Sequence, residues 1–266
     1  MSSNIDNFSE QNITLWRYMD LSKFLDMLIN QHIVLARPDL FEDVYEAYPH
    51  IYREALKTAF LNSKNSDMAE LIDTSILASC RLAKFRTYVS CWHKNSVESS
   101  AMWKLYCKNE ESLVIKTTIQ KLKSSLTNPK NEYVDTLNYG HVVYDLNLSN
   151  LTKTYTDLVQ KEELISININ DILLSKRPSF EHEKEFRLVG SKKHKVMEPS
   201  HIKLSEEELK CSTPAIQLIP CNLNQLIEEI IVAPNTPSWF FELIKNTVIK
   251  LGYSFSVTQS NLYKLG

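Results

Sequence analysis

Two spacings of apolar residues alternate along the chain. Leu15 to Tyr18 reads as a short strand. Leu21, Phe24, Leu25 and Leu28 then recur at the spacing of one helix face, with Asp20 or Ser22 placed to cap it. His32 to Ala36 predicts a second strand, stopped before Pro38, and an acidic loop holding Phe41, Glu42, Asp43 and Glu46 follows. Residues 50–85 carry a helical pattern and read as an insertion packed on the core. Thr87 to His93 is rich in β-branched and aromatic residues and predicts a strand. Ser96 is placed to cap a helix from Val97 to Lys108, with Met102, Trp103 and Tyr106 on one side. Leu113 to Lys116 predicts a strand, Ile119, Leu122 and Leu126 a helix, and residues 127–138 a polar loop.

Tyr139 to Tyr144 predicts a further strand, and residues 150–175 an amphipathic helix despite an Ile-Asn alternation at 165–170. Glu181 to Val189 and Ala215 to Pro220 read as strands. In the C-terminal unit, Glu229 to Ala233 is a strand and Thr236 with Pro237 opens a helix. Trp239, Phe240, Leu243, Ile244 and Ile249 are expected to face inward, Gly252 ends the helix, and Tyr253 to Thr258 is the last strand. Together these predict an α+β fold: a central mixed, mostly antiparallel sheet flanked by helices, with a helical insertion near residues 50–85. Residues 1–12 read as a flexible tail and 13–266 as a single domain, because no Pro/Gly/Ser linker, repeat or low-complexity block divides them.

Composition narrows the function classes. The net charge of -2 gives no global field toward nucleic acid or membrane. The five cysteines are odd in number and none form C-x-x-C, which fits a reducing compartment. There is no apolar leader and no run near the ~20 apolar residues of a membrane span, so a cytoplasmic protein with no membrane partner is expected. Only four glycines occur, Gly140, Gly190, Gly252 and Gly266, and no two are neighbours. Phosphate-cradling loops need clustered glycines, so a Walker A loop, a Rossmann fingerprint and a nucleophile elbow are all excluded.

The segment Glu181-His182-Glu183-Lys184-Glu185-Phe186-Arg187-Leu188-Val189 carries the strongest chemical signal. In a strand, Glu181, Glu183, Glu185 and Arg187 share one face while Phe186 and Leu188 point to the core. Crowded carboxylates raise at least one pKa, and Arg187 lowers that of its nearest partner. The row is either a catalytic site or the solvated face of an edge strand. Arg17, within Leu15-Trp16-Arg17-Tyr18, is set either to bind phosphate or carboxylate or to form a salt bridge with Asp20 or Glu46. In Tyr88-Val89-Ser90-Cys91-Trp92-His93, Tyr88, Ser90 and Trp92 share a face, and Cys91 with His93 reads as structural rather than as a thiol nucleophile and base. Met102, Trp103 and Tyr106 are either core or an apolar wall for a flat ring. None of the seven histidines has zinc spacing, so no metal is expected.

Leu15-Trp16-Arg17-Tyr18, Val89-Ser90-Cys91-Trp92, Met102-Trp103-Lys104-Leu105-Tyr106 and Glu183-Lys184-Glu185-Phe186-Arg187 resemble, in order, the blocks of the bacterial domain of unknown function 2971 family. Phe41-Glu42-Asp43-Val44 departs from that family's Phe-Asn-Asp-Pro, which leaves the role of Asp43 open. The order of elements also looks like the plan of ADP-ribosyltransferases. That resemblance implies NAD as substrate, in a toxin or phage-defence setting. It places Arg17 on the NAD ribose or phosphate, Ser90 on the middle strand, and Glu183 or Glu185 as the catalytic glutamate. Tyr18, Trp92, Trp103, Tyr106 and Arg187 line the ligand. The competing expectations are a small-ligand or nucleic-acid binding module without chemistry, and a purely structural domain. The acceptor, protein or nucleic acid, stays open.

Overall fold

The computed structural model describes residues 8–264 apart from 65, 108–110, 128, 164–167 and 193–203. The strands are β1 (Thr14–Asp20), β2 (His32–Ala36), β3 (Thr87–Lys94), β4 (Ser112–Thr118), β5 (Thr136–His141), β6 (Glu185–Ser191), β7 (Ile216–Pro220), β8 (Glu229–Val232) and β9 (Ser256–Gln259). The helices are α1 (Phe8–Gln11), α2 (Leu21–Asn30), α3 (His50–Leu61), α4 (Ala69–Arg86), α5 (Ser100–Tyr106), α6 (Ile119–Ser125), α7 (Leu148–Gln160), α8 (Ile169–Leu173), α9 (Glu206–Ser212), α10 (Leu223–Leu226) and α11 (Ser238–Lys250).

Among the described residues the strands form one open sheet in the order β5-β6-β3-β1-β4-β8-β9. Every pairing is antiparallel except β8 with β9. The predicted mixed, mostly antiparallel sheet flanked by helices is therefore what forms. β2 and β7 branch from it: β3 pairs with β1 at His93 and Lys94 and with β2 at Val89. The stretch of β3 from Ser90 to Trp92 thus faces a fork between two diverging neighbours.

One side of the sheet buries the main core, including Leu15, Met19, Phe24, Leu28, Ile33, Leu35, Tyr88, Trp92, Leu113, Ile115, Phe186 and Leu188. Two smaller clusters line the other side, one of Trp16, Tyr18, Met102, Trp103 and Val114 and one of Ala47, Val89, Leu173 and Val189. Tyr52, Leu56, Phe60, Cys80, Tyr155 and Val159 of α3, α4 and α7 pack as a satellite core, which is the predicted helical region at 50–85 with a later helix added. The Asp20 side chain accepts the Lys23 N–H to start α2, and Gln31 in the left-handed region ends it.

Several boundaries differ from the expectations. Ser99, not Ser96, caps the helix carrying Met102 and Trp103. Residues 8–11 form one helical turn in the segment read as a tail, and residues 1–7 lie outside the described residues. Strand β5 starts and ends three residues early relative to Tyr139–Tyr144, and the expected 150–175 helix is two helices, with 164–167 not described. In α11 the inward stripe is Phe240, Ile244 and Val248; Trp239, Leu243 and Ile249 are exposed. The helix buries one i, i+4, i+8 row, and its broad apolar character concealed which row. No helix among the described residues is long and apolar enough to cross a membrane.

Candidate functional site

The carboxylate row is built by a kink. Pro178–Glu183 is a 3-10 turn, Lys184 follows with φ 43, and only then does β6 begin at Glu185. Glu181 is consequently exposed and leaves the predicted row, while Glu183, Glu185 and Arg187 are buried. A non-glycine residue in the left-handed region costs roughly 1–2 kcal/mol. Ala47, next to Glu46, has the same strain with φ 57. Backbone strain thus sits beside both ends of one charged network, a placement typical of functional sites.

Arg187 is fully buried and bonds to three groups. Its Nη1 and Nη2 grip Glu46, the latter contact at 3.1 Å. Its Nε and Nη2 donate to Glu185 at 2.7 and 3.2 Å, and Nη1 donates to the Leu173 carbonyl at 2.6 Å. All the N–H donors of the guanidinium are spent, so Arg187 positions Glu185 and has none left for a ligand. Lys176 then bridges the glutamates, donating to Glu183 and, at 2.8 Å, to Glu185 Oε1. The Tyr106 hydroxyl donates to Glu183 Oε1 at 3.3 Å, and the Glu185 N–H donates to the Tyr144 hydroxyl at 2.8 Å.

The two carboxyls are pushed apart in proton affinity. Burial, then the neighbouring Glu185, raises Glu183 to about 7 against the opposing pull of Lys176. For Glu185, burial works upward but is outweighed by Arg187 and Lys176, so it stays ionised well below the usual carboxylate range. A carboxyl that gains and loses its proton near neutrality beside one that stays ionised is the pairing used in acid–base catalysis. Both carboxyls are buried, and Tyr106, which bonds Glu183, is itself 47% exposed.

Cys91 lies directly across the β3–β6 ladder from Arg187, and His93 across from Glu185. Burial and Glu185 hold the Cys91 thiol well above its ordinary pKa, so it is protonated and inert. His93 Nδ1 lies 2.7 Å from the Glu183 carbonyl, which makes Nδ1 the protonated nitrogen. Burial lowers the His93 pKa, so the ring stays neutral, with Nε2 buried and unbonded among the described residues. Among those residues no group of three or more His, Cys, Asp or Glu could hold a metal.

The remaining candidates divide between the two sides of the sheet. Tyr18 is on the carboxylate side; its hydroxyl accepts the Ser99 N–H at 2.8 Å and its ring meets Trp103 edge-on at 5.0 Å. Trp103 is buried, with its indole N–H on Glu98 at 2.9 Å, and forms a wall. Arg17, Ser90 and Trp92 lie on the opposite side. Arg17 pairs with Ile115 across β1–β4, Ser90 with Leu188 and Trp92 with Phe186 across β3–β6, and those partners all belong to the main core. Arg17 donates to Ser90 Oγ and, at 3.2 Å, to the Val34 carbonyl. The expected convergence of Arg17 and Ser90 with the glutamates does not occur, because the sheet lies between them. Neither Asp20 nor Glu46 pairs with Arg17: Asp20 caps α2, and Glu46 holds Arg187.

Lys176, Tyr144 and Glu46 complete the carboxylate cluster without having been singled out as site residues. Only Glu46 carried a signal, as a member of the acidic loop and a candidate partner of Arg17. The nearby Asp43 accepts the Tyr45 N–H at 3.0 Å and pairs with Arg177 at 2.5 Å, so it shapes the loop.

A family model described as protein of unknown function DUF2971 matches residues 102–188, about a third of the chain. The match runs from α5 into β6. It includes Trp103, Tyr106, Lys176, Glu183, Glu185 and Arg187, and it leaves out Arg17, Ser90 and Glu46. The chain is thus similar to that family over the segment that supplies most of the carboxylate cluster. No curated protein matches the chain.

Proposed function

We propose that Glu183 and Glu185 form the centre of an acid–base enzyme acting on the glycosidic bond of a nucleotide, with NAD the first substrate to test. The observation that supports this is the Lys176-bridged pair itself: one carboxyl held near neutral proton affinity under a half-exposed tyrosine, the other fixed as an anion. In this reading, cleavage of the nicotinamide–ribose bond leaves an oxocarbenium-like centre. Glu183, ionised, accepts a hydrogen bond from a ribose hydroxyl and then takes the proton of the attacking water or acceptor hydroxyl. Nicotinamide departs as the neutral base. Glu185, neutralised by Arg187 and Lys176, sets the affinity of Glu183 and does not itself meet substrate. Tyr106, Tyr18 and Trp103 supply the apolar and aromatic wall. Arg17 and Ser90 take no part, which departs from the ADP-ribosyltransferase plan.

The test is nicotinamide release from NAD by the full chain, with and without protein and nucleic-acid acceptors. Release that Glu183→Gln abolishes and Lys184→Ala retains supports the proposal. Absence of release under all these conditions removes it. A second reading is a ligand- or nucleic-acid-binding module without chemistry, favoured by the burial of Glu183 and Glu185 beneath Tyr106, which leaves the exposed tyrosine as the contact. It predicts that NAD or an oligonucleotide raises the melting temperature while no product forms.

A further inference from the structure

The fork between β1, β2 and β3 holds an excess of hydrogen-bond donors. Arg17 spends one Nη1 hydrogen on Ser90 Oγ and one Nη2 hydrogen on the Val34 carbonyl; its Nε–H and the second hydrogen on each Nη make no bond among the described residues. Ser90 is buried and uses its oxygen to accept from Arg17, which leaves its own hydrogen to donate. Trp92, 1% exposed, lies beneath the guanidinium at 5.3 Å, and its indole N–H is buried without an acceptor among the described residues. No carboxylate lies within ion-pairing distance of Arg17 among the described residues.

Each of these features is costly alone. An unpaired, partly buried cation forfeits part of its hydration, and an unbonded buried N–H forfeits its water partner. The arginines buried more deeply are compensated: Arg187 holds Glu46 and Glu185, and Arg37 holds Asp39. Water satisfies a donor but neutralises no charge. One acceptor of negative charge offsets all three deficits together, and arginine with hydroxyl and N–H donors is the usual means of holding a phosphate or carboxylate. On its β1/β2 edge β3 has no ladder partner from Ser90 to Trp92, and Arg17 keeps some solvent exposure, so the fork can be reached from solvent at the guanidinium.

We propose that the β1–β2–β3 fork is an oxyanion-binding site in which Arg17, Ser90 and Trp92 hold a phosphate or carboxylate group, on the side of the sheet opposite Glu183. The site does not depend on the glutamates being catalytic, and its test is independent of theirs.

The probes are sodium phosphate and sodium acetate, added to the full-length chain at ionic strength held constant with sodium chloride. Two readouts are followed: the melting temperature and the indole N–H resonance of Trp92, assigned through Trp92→Phe. The expected result is a saturable rise in melting temperature and a shift of that resonance, both retained in Glu183→Gln and lost in Arg17→Met. Ser90→Ala, a milder change, is expected to weaken binding several-fold while leaving the fold intact, so the site stays testable if Arg17→Met does not fold. A response to phosphate alone or acetate alone identifies the oxyanion. An unmoved Trp92 resonance, or a melting shift that survives in Arg17→Met or is unchanged in Ser90→Ala, overturns the proposal.

Discussion

Arg187 and Glu46, 141 positions apart in the chain, grip each other through paired hydrogen bonds with neither side chain more than 1% exposed. Removing one partner of a buried pair leaves the other charge uncompensated, at a cost of about 3–5 kcal/mol. Glu46→Ala is therefore expected to lower unfolding free energy by that amount in urea titrations. A loss below about 1 kcal/mol would mean that Glu185 and the Leu173 carbonyl suffice for Arg187.

The left-handed Lys184 gives a change of opposite sign. Its N–H bonds the Glu181 carbonyl and its carbonyl accepts the Lys94 N–H, so the kink is fixed at both ends. Glycine adopts this backbone without the Cβ penalty, although it has more freedom to lose on folding. Lys184→Gly is expected to stabilise by about 0.5–1 kcal/mol, and Lys184→Val to destabilise by about 1–2 kcal/mol. Equal stabilities for the two variants would show that the kink relaxes at no cost.

The glutamates make the stability depend on pH in two separate windows. Glu183 has a folded pKa above that of an unfolded glutamate, which is about 4.3. The folded state therefore binds the extra proton, and this contribution is complete below about pH 4 and lost as pH rises through about 7. Glu185 is depressed, so its contribution is present above the unfolded value and lost in acid. Glu183→Gln should flatten the fall in melting temperature between pH 5 and 8 while leaving the acid limb. An unchanged profile above pH 5 would place the titration elsewhere.

Gly140 ties β5 to the same cluster from behind. A Cβ at this position runs into the Leu174 side chain, and Leu173, beside it, offers its carbonyl to Arg187. Gly140→Ala is expected to cost about 1–3 kcal/mol through overpacking. Adding Leu174→Ala should recover part of that loss in the double variant; additive losses would exclude this clash as the cause.

Tyr106 tests the exposed end of the network. Tyr106→Phe removes the donor to Glu183 and keeps the ring. Stability should change by no more than about 1 kcal/mol. If NAD is turned over, the rate should fall at least several-fold, with its pH profile displaced. An unaltered profile would separate Tyr106 from the titrating carboxyl.

The sequence displayed the parts governed by local periodicity. His32–Ala36 was legible to the residue, and the β3 strand and the α11-to-β9 unit were legible to within a few residues, because apolar spacing and the Gly252 stop act over short range. The alternation also placed Glu185 and Arg187 on one face, whereas Glu183 joins them through the kink at Lys184, which alternation does not describe. What it could not carry was sidedness between strands. Arg17 and Glu185 fall on opposite sides because β1 pairs Trp16, not Arg17, with His93, and that register is set by tertiary packing. Lys176 escaped notice for a related reason. It lies outside every regular element, where spacing says nothing about direction, and only the turn at Pro178–Glu183 brings it back over the glutamates.

The segments that meet around Arg187 have a kinetic consequence. Its companions come from the loop before α3, the chain after α8 and the start of β6, and the closure that brings Glu46 to it spans 141 positions. The polar cluster should be assembled after the folding barrier. Weakening it would then speed unraveling and leave the rate of refolding nearly untouched, and the lifetime of the native molecule would be set largely by this one clasp.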